Sequence, residues 1–369
     1  MSPDDPPRIL LATAGFGEGH HSAARNLAKA LHSGASVEIA DPCREGAPVL
    51  NDLLRSAYRV VTTYSPRLWK RIYHSVEKRD FSKERIPFMR LAEKALAARI
   101  NAFDPHVIVS TYPLYPYFVR RYFDAGGRSR PLVTVVTDSI EINAAWRFAP
   151  TDYWLVTDAA TRRSLIEREL PEARVVDTGF PIDPVFNTLS PLSADGPAKP
   201  FRVLFFPTAK RPTVRRIARA VLDHPGWPTE ITIVLGRNFR RLYRRAREIK
   251  DAYPGRVRVR GWSKRVPQLL CEHHLVIGKA GGATVHEALG ARCPMLIHHL
   301  VPGQEEGNLD LLRQIGGGSL AHSEDRIRTA LRDLLADNAA GWRRQKRALA
   351  RHARPNAALS AATFILQHA

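Results

Sequence analysis

RILLATAGFGEGHHSAARNLAKALHSGASVEIA, residues 8–40, holds the fold in miniature. Arg8–Ala14 is a short apolar run that stops at glycines, and it reads as a buried parallel strand. His21–His32 sets Ala23, Ala24, Leu27, Ala30 and Leu31 at helical spacing, and Val37–Ala40 is a second short strand. Strand, glycine loop, helix, strand is the opening of a doubly wound α/β domain.

The same grammar continues outward. Val49–Leu96 reads as helical, with many aromatic and basic residues. His106–Ser110, Leu132–Thr137, Tyr153–Thr157 and Arg174–Thr178 read as further buried strands. Asn187–Pro200, rich in Pro, Ser, Gly and Ala, reads as a linker. After it the pattern restarts, with strands expected at Phe201–Phe206, Glu230–Leu235, Arg256–Arg260, Leu275–Ile277 and Met295–His298. Ile327–His368 closes the chain as a helical tail. The expected division is 1–186, a linker at 187–200, a second domain at 201–340 and a tail at 341–369. A length of 369 residues also favours two domains. Two such domains in series predict a cleft where ligands bind.

Composition narrows the function classes. Hydrophobic residues make up 44%, enough for full cores and against global disorder. The net charge of +20 favours an acidic partner: nucleic acid, an anionic membrane face or a phosphorylated ligand. Charge alone does not choose among these, and an arginine-rich solvated surface is the plain alternative. Cys43, Cys271 and Cys293 have neither disulfide-framework nor zinc spacing, which suits a reducing cytoplasm. Met1–Pro7 lacks an apolar signal core, and no run approaches the roughly 18 apolar residues of a membrane span. Any membrane contact is therefore expected to be peripheral.

Three segments carry chemistry. Gly15-Phe16-Gly17-Glu18-Gly19-His20 joins a strand to a helix. Its glycines, Gly17 and Gly19 among them, let a ligand approach the backbone amides. His20 at the helix start is a candidate to take a proton from an attacking hydroxyl; a helix-start polar residue is the plain reading. The order is not the G-x-G-x-x-G of dinucleotide folds, although Asp41 stands near the position of the ribose-binding acid. In the second segment, Gly278–Glu287, Gly281 and Gly282 offer amides at a helix N-terminus to a diphosphate. Thr284 adds a hydroxyl there, and Glu287 can accept both hydroxyls of a ribose. The third segment is Pro302-Gly303-Gln304-Glu305-Glu306-Gly307-Asn308, where Gln304 and Asn308 lie four apart and bring amides suited to sugar hydroxyls. For the last two, a capped or solvated helix start is the plain alternative.

The order GxGxGH…GW…KAGGATVHEAL…PMLIHHLVPGQEEGN resembles the glycosyltransferase family 28 pattern. That family includes MurG-type transferases, monogalactosyldiacylglycerol synthases and processive diacylglycerol glucosyltransferases. The chain is more similar to the diacylglycerol branch. The supporting residues are Gly19-His20 with Ser22-Ala23-Ala24, Tyr64-Ser65-Pro66 with Leu68-Trp69 and Tyr73, Thr137-Asp138 with Trp146, and Gly179-Phe180-Pro181-Ile182. The resemblance implies a GT-B fold, two Rossmann-like doubly wound domains facing across a cleft, with an N-terminal acceptor and a C-terminal donor domain. It implies that Glu287 grips the ribose, that Gln304, Glu305 and Asn308 reach the sugar, and that Trp262 sits by the uracil. His20 is then the general base, weakly supported by Asp138. No metal or cofactor is implied, because a helix dipole and backbone amides stabilise the leaving UDP.

Two departures stand out. Asn143 occupies a place where the family often has histidine, and Pro207–Pro212 replaces the usual glycines, leaving Lys210 or Arg211 as candidate phosphate contacts. Ala57–Lys94 interleaves Tyr58, Tyr64, Trp69, Tyr73, Phe81 and Phe88 with Arg59, Arg67, Lys70, Arg71, Lys78 and Arg79. Such a mix suits an anionic membrane interface, with core packing the plain alternative and single-stranded nucleic acid the rival.

The combined expectation is hexosyl transfer from a UDP-sugar to a lipid hydroxyl at the inner, cytoplasmic face of the membrane, with inversion implied by the family and no nucleic-acid partner. Tyr64, Trp69, Lys70, Arg71 and Asn143 are the expected acceptor and membrane contacts. A transferase with another acceptor and a non-catalytic UDP-sugar-binding protein are the alternatives.

Overall fold

The computed structural model describes residues 5–77, 79, 81, 84, 89–208 and 211–369. They form two compact units.

The first unit gathers the described residues up to Pro184, Val301–Gly307 and Asn356–Ala369. Its elements run β1 (Arg8–Ala12), α1 (Glu18–Leu31), β2 (Ser36–Ala40), α2 (Pro42–Gly46), α3 (Pro48–Tyr64), α4 (Pro66–Glu77) and α5 (Arg90–Phe103). They continue through β3 (Val107–Ser110), α6 (Tyr115–Asp124), β4 (Leu132–Val135), α7 (Ala144–Arg147), β5 (Tyr153–Val156), α8 (Ala159–Glu167) and β6 (Val175–Asp177). All six strands are parallel, in the order β2-β1-β3-β4-β5-β6. Alternation along the strands divides the core. Leu10, Ala12, Ile108 and Leu132 pack with Leu96, Ile100 and Phe118. Ile9, Leu11, Val107, Val109, Val133 and Val135 pack with Leu27 and Leu31 of α1 and with Ala361 and Ile365 far along the chain.

The second unit gathers Val185–Leu300 and Asn308–Pro355. Its elements are β7 (Phe201–Phe205), α9 (Arg211–Leu222), β8 (Thr229–Val234), α10 (Phe239–Ala252), β9 (Val257–Arg260), α11 (Val266–Glu272), β10 (Leu275–Lys279) and α12 (Gly282–Gly290). Then follow β11 (Met295–His299), α13 (Glu306–Ile315), whose first two residues belong to the first unit, β12 (Gly318–Leu320) and α14 (Glu324–His352). The parallel order is β12-β11-β10-β7-β8-β9. Phe201, Val203, Phe205, Ile231, Ile233 and Ile277 form its core with helix residues such as Val214, Leu242 and Trp342.

Each sheet reverses its strand order once, between β1 and β3 and between β7 and β10. Ligands of open parallel sheets bind beyond the carboxyl ends of the strands at such reversals. The glycine loop follows β1 and the Gly281-Gly282 turn follows β10, so both motifs stand at those points.

Three features differ from the sequence reading. Val49–Leu96 is not one helix: Pro66 starts α4 after α3, and α5 starts at Arg90. The C-terminal tail is divided. α14 is interrupted at Ala336–Ala339, where three residues take positive φ, and α15 (Ala357–Leu366) lies in the first unit. The short strand β12 had no apolar run to mark it. It pairs with β11 because Gly318 lets the two backbones close; a Cβ there would overlap the Met295 carbonyl oxygen. Gly318→Ala is therefore expected to destabilise the second unit by about 1–3 kcal/mol. Urea unfolding checks this, and an unchanged midpoint would refute it.

Candidate active site

In the first unit, the chain leaves β1 through Gly15–Gly19. Gly17 has φ +122°, a conformation side-chain-bearing residues avoid, and it leaves the first turn of α1 without a side-chain cap. A Cβ at Gly17 or Gly19 would meet nothing, so the space over the loop is open. At Gly15 the opposite holds: the Arg55 Nε lies 2.6 Å from where a Cβ would be, and it donates to the Gly15 carbonyl at 3.0 Å.

His20 sits in the first turn of α1, almost fully buried. Its ring meets Tyr112 edge-on at 5.4 Å and lies 5.9 Å from the Trp146 ring. Nδ1 is 3.0 Å from the Thr137 hydroxyl. When Nδ1–H donates to Thr137, Nε2 keeps the lone pair that accepts a proton. Burial is the main cause that holds the imidazole down at about 4, with a hydrogen bond to the Thr111 backbone opposing it and His21 adding to it. The ring is thus neutral at pH 7, as a base must be.

Asp138 does not orient the imidazole directly. Successive side chains past β4 turn opposite ways. Thr137 takes the ring, and Asp138 accepts the Trp146 indole N–H at 3.0 Å. Burial pushes the Asp138 carboxyl up to about 7, against the Trp146 bond that lowers it and with the Glu305 charge that raises it further. Trp146 is itself fixed, since its carbonyl accepts the Trp154 indole N–H at 2.8 Å. The sequence placed Asn143 among the acceptor contacts. Here it is buried and its Oδ1 caps α7 through the Ala145 amide, so it supports the helix that carries Trp146.

The strap Val301–Gly307 belongs to this unit. Gln304 Oε1 accepts the Tyr58 hydroxyl at 2.9 Å. Glu305 is buried and turns back on its own loop, accepting the Val301 amide at 3.0 Å. Glu306 pairs with Lys70 at 3.4 Å. Gly307 faces the Ser139 carbonyl so closely that no Cβ would fit.

Helices α3 and α4 show an inverted polarity. Asn51, Arg55, Tyr58 and Thr62 recur at helical spacing and are buried or half-buried, as are Leu50, Leu54, Val61 and Thr63. Among the described residues, both carboxamide atoms of Asn51 are buried without a hydrogen-bond partner. Several apolar side chains face outward all the same: Val49 is 83% exposed, Leu53 65% and Val60 56%, and Tyr64, Leu68 and Ile72 are exposed too. Arg59, Arg67, Lys70 and Arg71 are exposed beside them. Trp69 is half-buried, edge-on to Tyr58 at 5.0 Å. Phe81, expected with the surface aromatics, packs instead in the core beside Tyr117, where the ring escapes water. Lys78 and Phe88 lie outside the described residues, and Lys210 does too; so does the side chain of Arg211.

In the second unit, β10 runs into Gly281, which starts α12 without a side-chain cap. Free amides at the start of a nine-residue helix suit a diphosphate. Gly281, Gly282, Thr284 and Glu287 are all half-buried along this helix. Asn308 is buried, and its Nδ2 donates to the Ala280 carbonyl at 3.0 Å, fixing the loop before α12. Trp262, after β9, is 61% exposed with the Arg237 guanidinium 5.4 Å over its ring. An exposed indole suits stacking by a base.

Several of these residues escaped the sequence reading. Thr111 and Tyr112 follow β3 and Arg55 lies on α3, and none belongs to a glycine motif. Their one signal is position, for β3 adjoins β1 at the strand reversal.

The arrangement defines a class first: two doubly wound units, with a glycine-loop histidine in one and a helix start after a glycine pair in the other, the GT-B fold. Solved structures agree on the fold. MurG of Acinetobacter baumannii superposes with a TM-score of 0.64 at 16% identity, covering 98% of this chain and 100% of that one. UDP-GlcNAc 2-epimerase from Neisseria meningitidis, bound to UDP-GlcNAc, gives 0.60 at 11% identity, covering 98% and 100%. Residues 20–182 match the family model of monogalactosyldiacylglycerol (MGDG) synthase. A processive diacylglycerol beta-glucosyltransferase of Bacillus cytotoxicus is 24% identical over 90% of this chain and 86% of its own length. Over residues 20–182, and at lower identity over most of its length, the chain is thus similar to the diacylglycerol branch of glycosyltransferase family 28.

The pKa shifts predict opposite pH effects. The depressed His20 value means the unfolded chain binds a proton between about pH 6.5 and 4 that the fold excludes, so stability falls as pH drops through that window. Asp138 keeps its proton up to about 7, so its contribution to stability is complete below about 3.8 and is lost as pH rises to 7. The imidazole resonance of His20 should titrate near pH 4; a midpoint near 6.5 would contradict the dry site.

Proposed function

We propose that the chain transfers a hexose from a UDP-sugar to the hydroxyl of a diacylglycerol-type lipid at the inner face of the membrane. The observation that carries this reading is the neutral, buried His20, its Nδ1 held by Thr137 above an open glycine loop. In the reaction the acceptor oxygen forms a bond to the anomeric carbon, and the bond from that carbon to the UDP oxygen breaks. The electron pair leaves with UDP, and the acceptor proton moves to His20 Nε2. Attack opposite the leaving group inverts the anomeric centre. The amides of Gly281 and Gly282 at the start of α12 meet the charge growing on the diphosphate, a task that requires no metal or cofactor. Glu287 holds the ribose, Trp262 stacks on the uracil, Gln304 contacts the sugar, and Asn308 keeps the α12 loop in place. Asp138, half-ionised near neutrality, supports the imidazolium through Trp146.

The lipid acceptor draws support from the relatives' names and from the inverted polarity of α3 and α4. No helix among the described residues is long and apolar enough to cross a membrane. An outward apolar face ringed by Arg59, Arg67, Lys70 and Arg71 suits shallow insertion into an anionic surface.

A panel of UDP-sugars with diacylglycerol vesicles, read by UDP release, tests the reading. Turnover is expected with at least one donor, and His20→Ala should lower it about 100- to 10,000-fold. Release without any lipid product would move the assignment to another acceptor, and UDP-sugar binding without release would leave only a binding protein. Replacing Leu53 and Leu68 by Asp should weaken flotation with anionic vesicles at least tenfold, about 0.8 kcal/mol being lost per unburied CH2. Undiminished flotation would remove α3 and α4 from the membrane contact.

A further inference from the structure

The strap Gly303–Gly307 is seated on α3 and α4 almost residue by residue. Gly303 lies against the Tyr73 ring, where a Cβ would come within 2.8 Å of Cδ1. Gln304 is bonded by Tyr58, and Glu306 is paired with Lys70. Tyr58 is in turn braced edge-on by Trp69, which lies 6.5 Å from Tyr73. A carboxamide has one end that accepts and one that donates, and a free side chain presents either by flipping. The Tyr58 hydroxyl, 2.9 Å from Gln304 Oε1, holds the carboxamide in one place and leaves its far end free to meet a ligand.

We infer that Tyr58 is a positioning residue for donor selectivity, holding the Gln304 carboxamide at one place against the sugar. This rests on the reading of Gln304 as the sugar contact proposed above. A polar group held at one place meets a hydroxyl in one orientation on the ring, so it separates epimers that a mobile side chain accepts alike. Selectivity for the sugar is then set partly from helices that carry the outward apolar face.

Tyr58→Phe removes the hydroxyl and keeps the ring that packs on Trp69. The variant is assayed with UDP-glucose and UDP-galactose under the vesicle conditions above. The ratio of the two kcat/KM values should fall about 3- to 10-fold, the range of one neutral hydrogen bond. Inhibition by UDP, which lacks the sugar, should stay unchanged. In a Gln304→Ala background the effect of Tyr58→Phe on the ratio should vanish, because the two residues act as one. An unchanged ratio in Tyr58→Phe, or additive effects in the double variant, would overturn the inference. An equal loss with both donors, or weaker inhibition by UDP, would also overturn it and assign Tyr58 a role in stability alone. If the unmodified protein turns over neither donor with any acceptor, the proposed function fails first, which separates the two outcomes.

Discussion

The first unit is organised around one buried contact, the 3.0 Å approach of His20 Nδ1 to the Thr137 hydroxyl. It joins the first turn of α1 to the end of β4 across the intervening strand β3. Around it close Tyr112 from the end of β3 and Trp146 from α7, and these rings make the site dry. Dryness keeps the imidazole neutral and, by the same physics, keeps Asp138 partly protonated near pH 7. Two titratable groups are thereby pushed in opposite directions by a shared lack of water, one downward and one upward.

The sheets were legible in the sequence because strands buried on both faces are short continuous apolar runs, and eleven of them were visible between glycine and polar breaks. Gly318–Leu320 was not, since a glycine-rich edge strand has no apolar signal and is fixed by the approach of Met295. The glycine motifs were legible for a related reason: a backbone that must turn sharply beside a ligand admits few residue types. The side chains that complete the site were less so. Thr137 and Asp138 are neighbours, and no pattern says which of them meets the imidazole; that depends on the direction each leaves the strand end. Asn143 is a polar residue in a suggestive place whose side chain caps a helix instead.

Helix α3 explains why the basic-aromatic segment was ambiguous. Its residues have helical spacing whichever side faces the protein, so periodicity alone admits both a core helix and a surface one. The structure turns Asn51, Arg55, Tyr58 and Thr62 inward and Leu53 and Val60 outward, the reverse of an ordinary surface helix. Arg55 and Tyr58 give a reason: the guanidinium serves the Gly15 carbonyl and the hydroxyl serves Gln304.

The packing of α15 has a consequence for biosynthesis. Ala361, Ala362 and Ile365 complete the core made by Ile9, Leu11, Leu27 and Leu31, and Leu366 lies against Gly34. The first sheet therefore remains incompletely covered on the side it shares with α1 while the whole second unit is being translated. The N-terminal half emerges early yet closes late, at high contact order, with apolar surface exposed meanwhile. For a ribosome making this chain, the vulnerable interval lasts while the second unit is made, and it ends only when Ala357–Leu366 leaves the exit tunnel.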